Sequence, residues 1–202
     1  MKKKLLFLTL VIVLIASLLA GCGNEGKTSN GGDGGKSDGG KVIIVRASGD
    51  PMTFNPDTVP DDNAYPIVQN LFNRLVKLDA SKQIIPDLAT DWEVSEDGKS
   101  ITFNLRDDAK WHDGEKVTSK DVKYTFDTIK ENKGYYFSSR MAIVDSIDAP
   151  DDYTIVFNMN EADVSFIADL GWYATFVIPE HIFNNGEPWE DNPASKDPIG
   201  SG

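Results

Sequence analysis

Apolar and polar positions change their spacing several times along this chain. Residues 5–19 are almost uninterrupted apolar, whereas Gly23 to Lys41 contains no large apolar side chain. Val42 to Ala47 is dense in β-branched residues and stops at Gly49-Asp50-Pro51, which predicts a buried strand and a turn. Ala64, Ile67, Val68, Leu71, Phe72, Leu75 and Val76 keep the spacing of a one-faced helix. Pro66 suits its first turn, where a missing N–H costs nothing. Between Leu78 and Lys116 the period becomes two. Trp92 and Val94, a Ser95-Glu96-Asp97-Gly98 turn, then Ile101, Phe103 and Leu105 predict a β-hairpin. Thr118, with Asp121 three residues on, opens a second helix in the manner of a capping box. Val122, Phe126 and Ile129 share one face of it, and Tyr124 stands about 200° away from Val122 and Phe126. Ala142–Ile147 and Tyr153–Met159, flanking Ala149–Asp152, predict a second hairpin. Val164, Ile167 and Leu170 predict a short helix, and Trp172–Ile178 a last strand before Pro179–Phe183. The pattern is that of a mixed α/β (α+β) body with antiparallel hairpins and no internal repeat.

The first segment is separate from this body. Lys2, Lys3 and Lys4 precede the apolar run, and Leu19-Ala20-Gly21-Cys22 closes it. The run falls short of the ~20 residues that span a bilayer. Leu-Ala-Gly-Cys resembles the lipobox of bacterial lipoproteins, so residues 1–21 are expected to be a signal peptide and Cys22 the lipid attachment point. Cys22 is also the only cysteine, which leaves no disulfide to form. Residues 22–41 have the Gly/Ser-rich composition of a flexible tether. Within it, Asn30 to Ser37 comes within one residue of a phosphate-binding GxxxxGK[ST] loop but lacks the first glycine and a preceding strand.

Charge narrows the function. The 202 residues hold 20 Lys+Arg against 32 Asp+Glu, net −12; without the first 21 residues the balance is −15. An excess of acid argues against a nucleic-acid binder. About 36% of the remaining residues are apolar, enough for a core. Catalytic patterns are scarce: the two histidines, His112 and His181, are far apart, and HExxH and GxSxG are absent. Asp57, Asp61 and Asp62, Asp107 and Asp108, and Asp148, Asp151 and Asp152 could contain a carboxylate pair, but read equally well as caps, turns and solvated surface. No motif calls for a metal or a cofactor.

A longer signature is carried by Leu88-Ala89-Thr90-Asp91-Trp92-Glu93-Val94, Asp97-Gly98, Ile101 to Arg106, Ala109-Lys110-Trp111-His112-Asp113-Gly114 and Val117 to Phe126. Val177 to Phe183 and Pro198-Ile199-Gly200-Ser201-Gly202 follow in order. Together these segments resemble the family 5 extracellular solute-binding proteins, the oligopeptide, dipeptide and nickel receptors of ABC importers. The resemblance implies a two-lobed fold of the type II periplasmic-binding-protein kind, of which this chain is expected to be a truncated N-terminal part. Residues 42–60 and about 175–202 would belong to the first lobe and about 61–174 to an inserted subdomain.

The same resemblance implies a non-enzymatic, monomeric receptor. It would be exported, lipid-anchored at the outer face of the cytoplasmic membrane, and would pass peptides to permease subunits. A nickel or other small-solute receptor is the alternative within the family, and a lipid-anchored hydrolase using a carboxylate pair is the alternative outside it. Tyr124 is the first ligand-contact candidate, because the helical wheel sets it off the apolar face and its counterpart in peptide-binding relatives lies beside the ligand. Thr53, Phe54 and Asn55 follow, since main-chain pairing in that loop suits a receptor that accepts many side chains. Trp172 and Tyr173 precede the returning strand and could line the cleft. Trp111 is assigned to packing.

Overall fold

A computed structural model describes residues 46, 49–58, 61–172 and 175–202. The leader, Cys22, the tether, all of the Val42–Ala47 run except Arg46, and Tyr173 lie outside the described residues.

The centre is a four-stranded antiparallel sheet made from the two hairpins. Strands β3 (Ala89–Val94) and β4 (Ser100–Leu105) form the first, and β5 (Val144–Asp151) and β6 (Thr154–Met159) the second, in the order β3-β4-β6-β5. β4 and β6 join the hairpins, with Ile101 opposite Phe157 and Phe103 opposite Ile155. All four of these side chains are buried. Helix α2 (Ser119–Glu131) covers that face; its Phe126 ring meets Phe157 edge-on at 5.4 Å. Each such buried ring contributes roughly 1.5–3 kcal/mol. β3, at the sheet edge, buries far less, and Val94 is exposed. Gly98, at φ +71°, makes the β3–β4 turn with a backbone conformation that suits glycine.

The first helix is shorter than its apolar stripe predicts. α1 spans Tyr65–Leu71, and Leu75 and Val76 are buried in extended chain after it. Long-range partners end the helix: the Leu71 carbonyl accepts from the amides of Ser201 and Gly202, and the Arg74 amide donates to Asp87 Oδ2 at 2.8 Å. Val76 then opens a small hairpin, β1 (Val76–Leu78) with β2 (Ile84–Pro86), turned by the Asp79 carboxylate, which accepts from the amides of Ser81 and Gln83.

Helix α3 is Phe166–Leu170, with Val164 outside it and fully exposed, and α4 is Glu180–Phe183. The strand expected over Trp172–Ile178 is replaced, at its described residues 175–178, by a buried extended segment outside any sheet. Its amides go to three unrelated acceptors instead of one ladder: Phe176 to Asp57 Oδ1, Val177 to the Asn73 carbonyl and Ile178 to Thr125 Oγ1.

Candidate functional site

Tyr124 stands on the opposite side of α2 from Val122 and Phe126, half-buried and lining a cavity of ≈ 390 Å³ with Lys120, Lys123, Asp127, Thr128, Glu131 and Glu180. The phenol is fixed from behind. Trp189 Nε1 donates to Tyr124 Oη at 3.0 Å, and the two rings lie 6.0 Å apart. Trp189 is buried, stacked on Tyr135 at 5.0 Å and 16°, with Phe183 edge-on at 6.2 Å. Burial raises the Tyr124 pKa, opposed by the Trp189 bond, so the hydroxyl keeps its proton at neutral pH. Burial, aided by Glu190, pushes Tyr135 up to about 12.

Sequence reasoning missed Trp189 and Tyr135. Trp189 follows Gly186-Glu187-Pro188 in a polar loop, where no periodicity marks a buried residue.

The loop at 52–58 reaches the same neighbourhood through one segment. Phe54 donates its amide, and Thr53 its hydroxyl, to the Ser195 carbonyl at 2.7 and 3.2 Å; Ser195 Oγ in turn donates to the Trp189 carbonyl. Asn55 is buried, and its Oδ1 accepts from the Asp57 amide. The amides of Met52, Phe54 and Asn55 are all used within the chain, by Asp61, Ser195 and Thr53. Asp57 is buried, and burial pushes its carboxyl up to about 8 against the opposing Phe176 amide and Arg74 charge. Arg74 lies over the Phe176 ring at 3.7 Å and donates to Tyr65 Oη.

Trp172 is set apart from Tyr124. Its indole, 60% exposed, borders a second cavity of ≈ 360 Å³ with Tyr65, Gln69, Asn70, Arg74, Lys77, Leu78 and Gly171. No lining residue is common to the two.

The acids named in the sequence hold the fold together locally. Although burial opposes it, amides of Met52, Asn63 and Ala64 hold Asp61 below the usual carboxylate range. Asp108 pairs with Arg106, Asp148 accepts from Asn158, and Asp151 accepts from the Tyr153 amide. His181 meets Asp113 at 2.8 Å, and that bond lowers the Asp113 pKa. His112 Nδ1 accepts from the Gly200 amide while Nε2 faces the Gly202 carbonyl at 3.1 Å, which requires the Nε2–H tautomer. Trp111 is buried, as its packing assignment expects. Among the described residues no three His, Cys, Asp or Glu side chains come together to hold a metal ion.

Comparison with known proteins agrees with this architecture. The dipeptide-binding protein of Escherichia coli K12 is 29% identical over 183 residues, covering 80% of this chain and 34% of that protein. The oligopeptide-binding protein OppA of Bacillus subtilis is 27% identical and covers all of this chain and 40% of its own. The chain thus spans little more than a third of these relatives. Among solved structures, the oligopeptide-binding protein AppA from Bacillus subtilis, in complex with a nonapeptide, superposes with a TM-score of 0.69 at 28% identity, over 76% of this chain and 31% of that one. The family model for bacterial extracellular solute-binding proteins, family 5 Middle, matches residues 83–202, more than half of the chain. This chain belongs to the family 5 bacterial extracellular solute-binding proteins.

Proposed function

We propose that this protein is the substrate-binding component of an ABC importer for peptides, binding its ligand without chemistry and presenting it to permease subunits. The observation that carries this reading is the family match over residues 83–202, whose relatives are oligopeptide- and dipeptide-binding proteins. Residues 42–60 with about 175–202 form one lobe in this reading, and about 61–174 the inserted subdomain. Tyr124 is the central ligand contact, at a cavity that keeps a protonated phenol half-buried. Thr53, Phe54 and Asn55 contribute chiefly through carbonyl groups, because the amides of Phe54 and Asn55 are already engaged. Trp172 contacts a more distant part of an extended ligand, and Tyr173 stays a contact candidate on its sequence alone. The protein acts as a monomer, exported and held at the outer face of the membrane by a lipid on Cys22.

Two measurements test the proposal. Tri-alanine, titrated into the full chain in neutral detergent, should bind saturably in the millimolar range or tighter and be recovered unhydrolysed; no saturable binding, or its hydrolysis, would overturn the receptor reading. Cys22→Ser should move the expressed protein from the membrane fraction to the soluble exported fraction. A variant that stays with the membrane removes the lipid anchor.

A further inference from the structure

Trp189 sits where it decides what Tyr124 can offer a ligand. A phenol has one hydrogen to donate and an oxygen that accepts. Here the oxygen already accepts from the Trp189 indole N–H at 3.0 Å. The indole is itself immobile: it is buried, parallel to the Tyr135 ring at 5.0 Å, and crossed by Phe183. Tyr135 is tied down through its hydroxyl, 3.3 Å from Glu190 Oε2, and the Trp189 carbonyl accepts from Ser195 Oγ. Four residues therefore hold one N–H against one phenol oxygen. The Thr128 side chain also hydrogen-bonds the phenol and lowers its pKa, as a donor to the oxygen does, so Trp189 and Thr128 both engage the oxygen and the phenol hydrogen is left for the cavity.

We propose that Trp189, stacked on Tyr135, is a positioning residue that fixes the polarity of the Tyr124 hydroxyl, so that the ligand group met there is a carbonyl oxygen and not an ammonium. This rests on the reading of Tyr124 as a ligand contact, and it deepens that reading by naming the chemistry recognised. A main-chain carbonyl of an extended peptide fits, because it recurs at every residue whatever the side chains. A free amino group would have to donate to an oxygen that the indole N–H already occupies.

A double-mutant cycle on the full chain, with tri-alanine as probe, tests the coupling. Tyr124→Phe should weaken binding about fivefold, the loss of one net hydrogen bond. Trp189→Phe keeps an aromatic ring against Tyr135 but has no N–H, and should weaken binding by a similar factor. The double variant should bind no worse than Tyr124→Phe, since the indole acts only through the phenol; a merely structural Trp189 would weaken the Tyr124→Phe background as well, and that additive result overturns the proposal while leaving the peptide reading intact. Wild-type protein supplies a second arm independent of folding of the variants. N-acetylalanine methylamide, which has carbonyls and no ammonium, should displace tri-alanine, and n-propylammonium should not. Displacement by the ammonium alone overturns the proposed polarity. Failure of tri-alanine to bind wild-type protein overturns both the peptide reading and this inference; binding that is indifferent to Tyr124→Phe removes Tyr124 and the inference with it, but spares peptide binding.

Discussion

The buried Asp57 carboxyl makes the stability of this fold depend on pH. Asp57 takes the Phe176 amide on Oδ1, while its Oδ2, the Asn55 Nδ2 and the Arg74 Nε are buried without a hydrogen-bond partner. Desolvation disfavours the charged form and pushes the pKa from its ordinary 3.8 to about 8. In the unfolded chain this carboxyl has lost its proton above about pH 4, whereas the folded protein keeps it to about 8. Folding therefore takes up a proton across that window, so stability is greatest at its acid end, falls as pH rises toward 8 and levels off above it. Asp57→Asn retains an oxygen for the Phe176 amide and cannot ionise. Urea denaturation at pH 5 and pH 8 should show wild type losing more than about 1 kcal/mol between them through this group, and the variant losing less by that amount. Parallel losses in the two proteins would mean that Asp57 ionises freely in the fold.

At the scale of elements, the start of α2 does two tasks. Asp121 Oδ2 accepts from the Thr118 amide at 2.8 Å, completing the turn expected from Thr118 and its acid, while Oδ1 accepts from the Glu180 amide at 2.9 Å and so ties the first turn of α4 to α2. Asp121→Ala leaves both amides without that acceptor and should cost about 1–3 kcal/mol in equilibrium unfolding, against less than about 1 for Lys120→Ala next to it, an exposed side chain whose partner Asp152 is 3.7 Å away. Equal effects would deny Asp121 its double role. Elements of this kind were legible where the pattern was local. Both hairpins and α2 follow from periods of two and 3.6, but the second hairpin turns at Asp152-Tyr153, since β5 starts at Val144 and runs on through Ala149–Asp151, where the turn was expected. The end of α1 was not legible, because the Ser201 and Gly202 amides that occupy the Leu71 carbonyl come from the far end of the chain. For the same reason Phe176–Ile178 reads as a strand from its residues but finds a carboxylate, a loop carbonyl and a hydroxyl as partners.

For the molecule as a whole, that returning segment connects three parts that are distant in sequence. The 52–58 loop reaches it through Asp57, the end of α1 through Asn73 and α2 through Thr125. The candidate site was legible only in part, on the same grounds. Tyr124 follows from a helical wheel, whereas its partner Trp189, 65 residues away, has no signal in sequence spacing. Thr125 offers the sharpest test of this connection, since it is fully buried and lies next to Tyr124. Its Oγ1 donates to the Asp121 carbonyl at 2.7 Å and accepts from the Ile178 amide at 3.1 Å. Thr125→Val preserves the shape but strands the Ile178 N–H in a dry environment, at about 1–3 kcal/mol. Thr125→Ser preserves the hydroxyl and loses only a methyl, about 1 kcal/mol. Chemical denaturation should therefore rank wild type above Thr125→Ser and Thr125→Val lowest, with hydrogen exchange at the Ile178 amide accelerated in the valine variant alone. If valine is as stable as serine, the segment is held by its apolar side chains, and the hydroxyl bridge to α2 contributes nothing net.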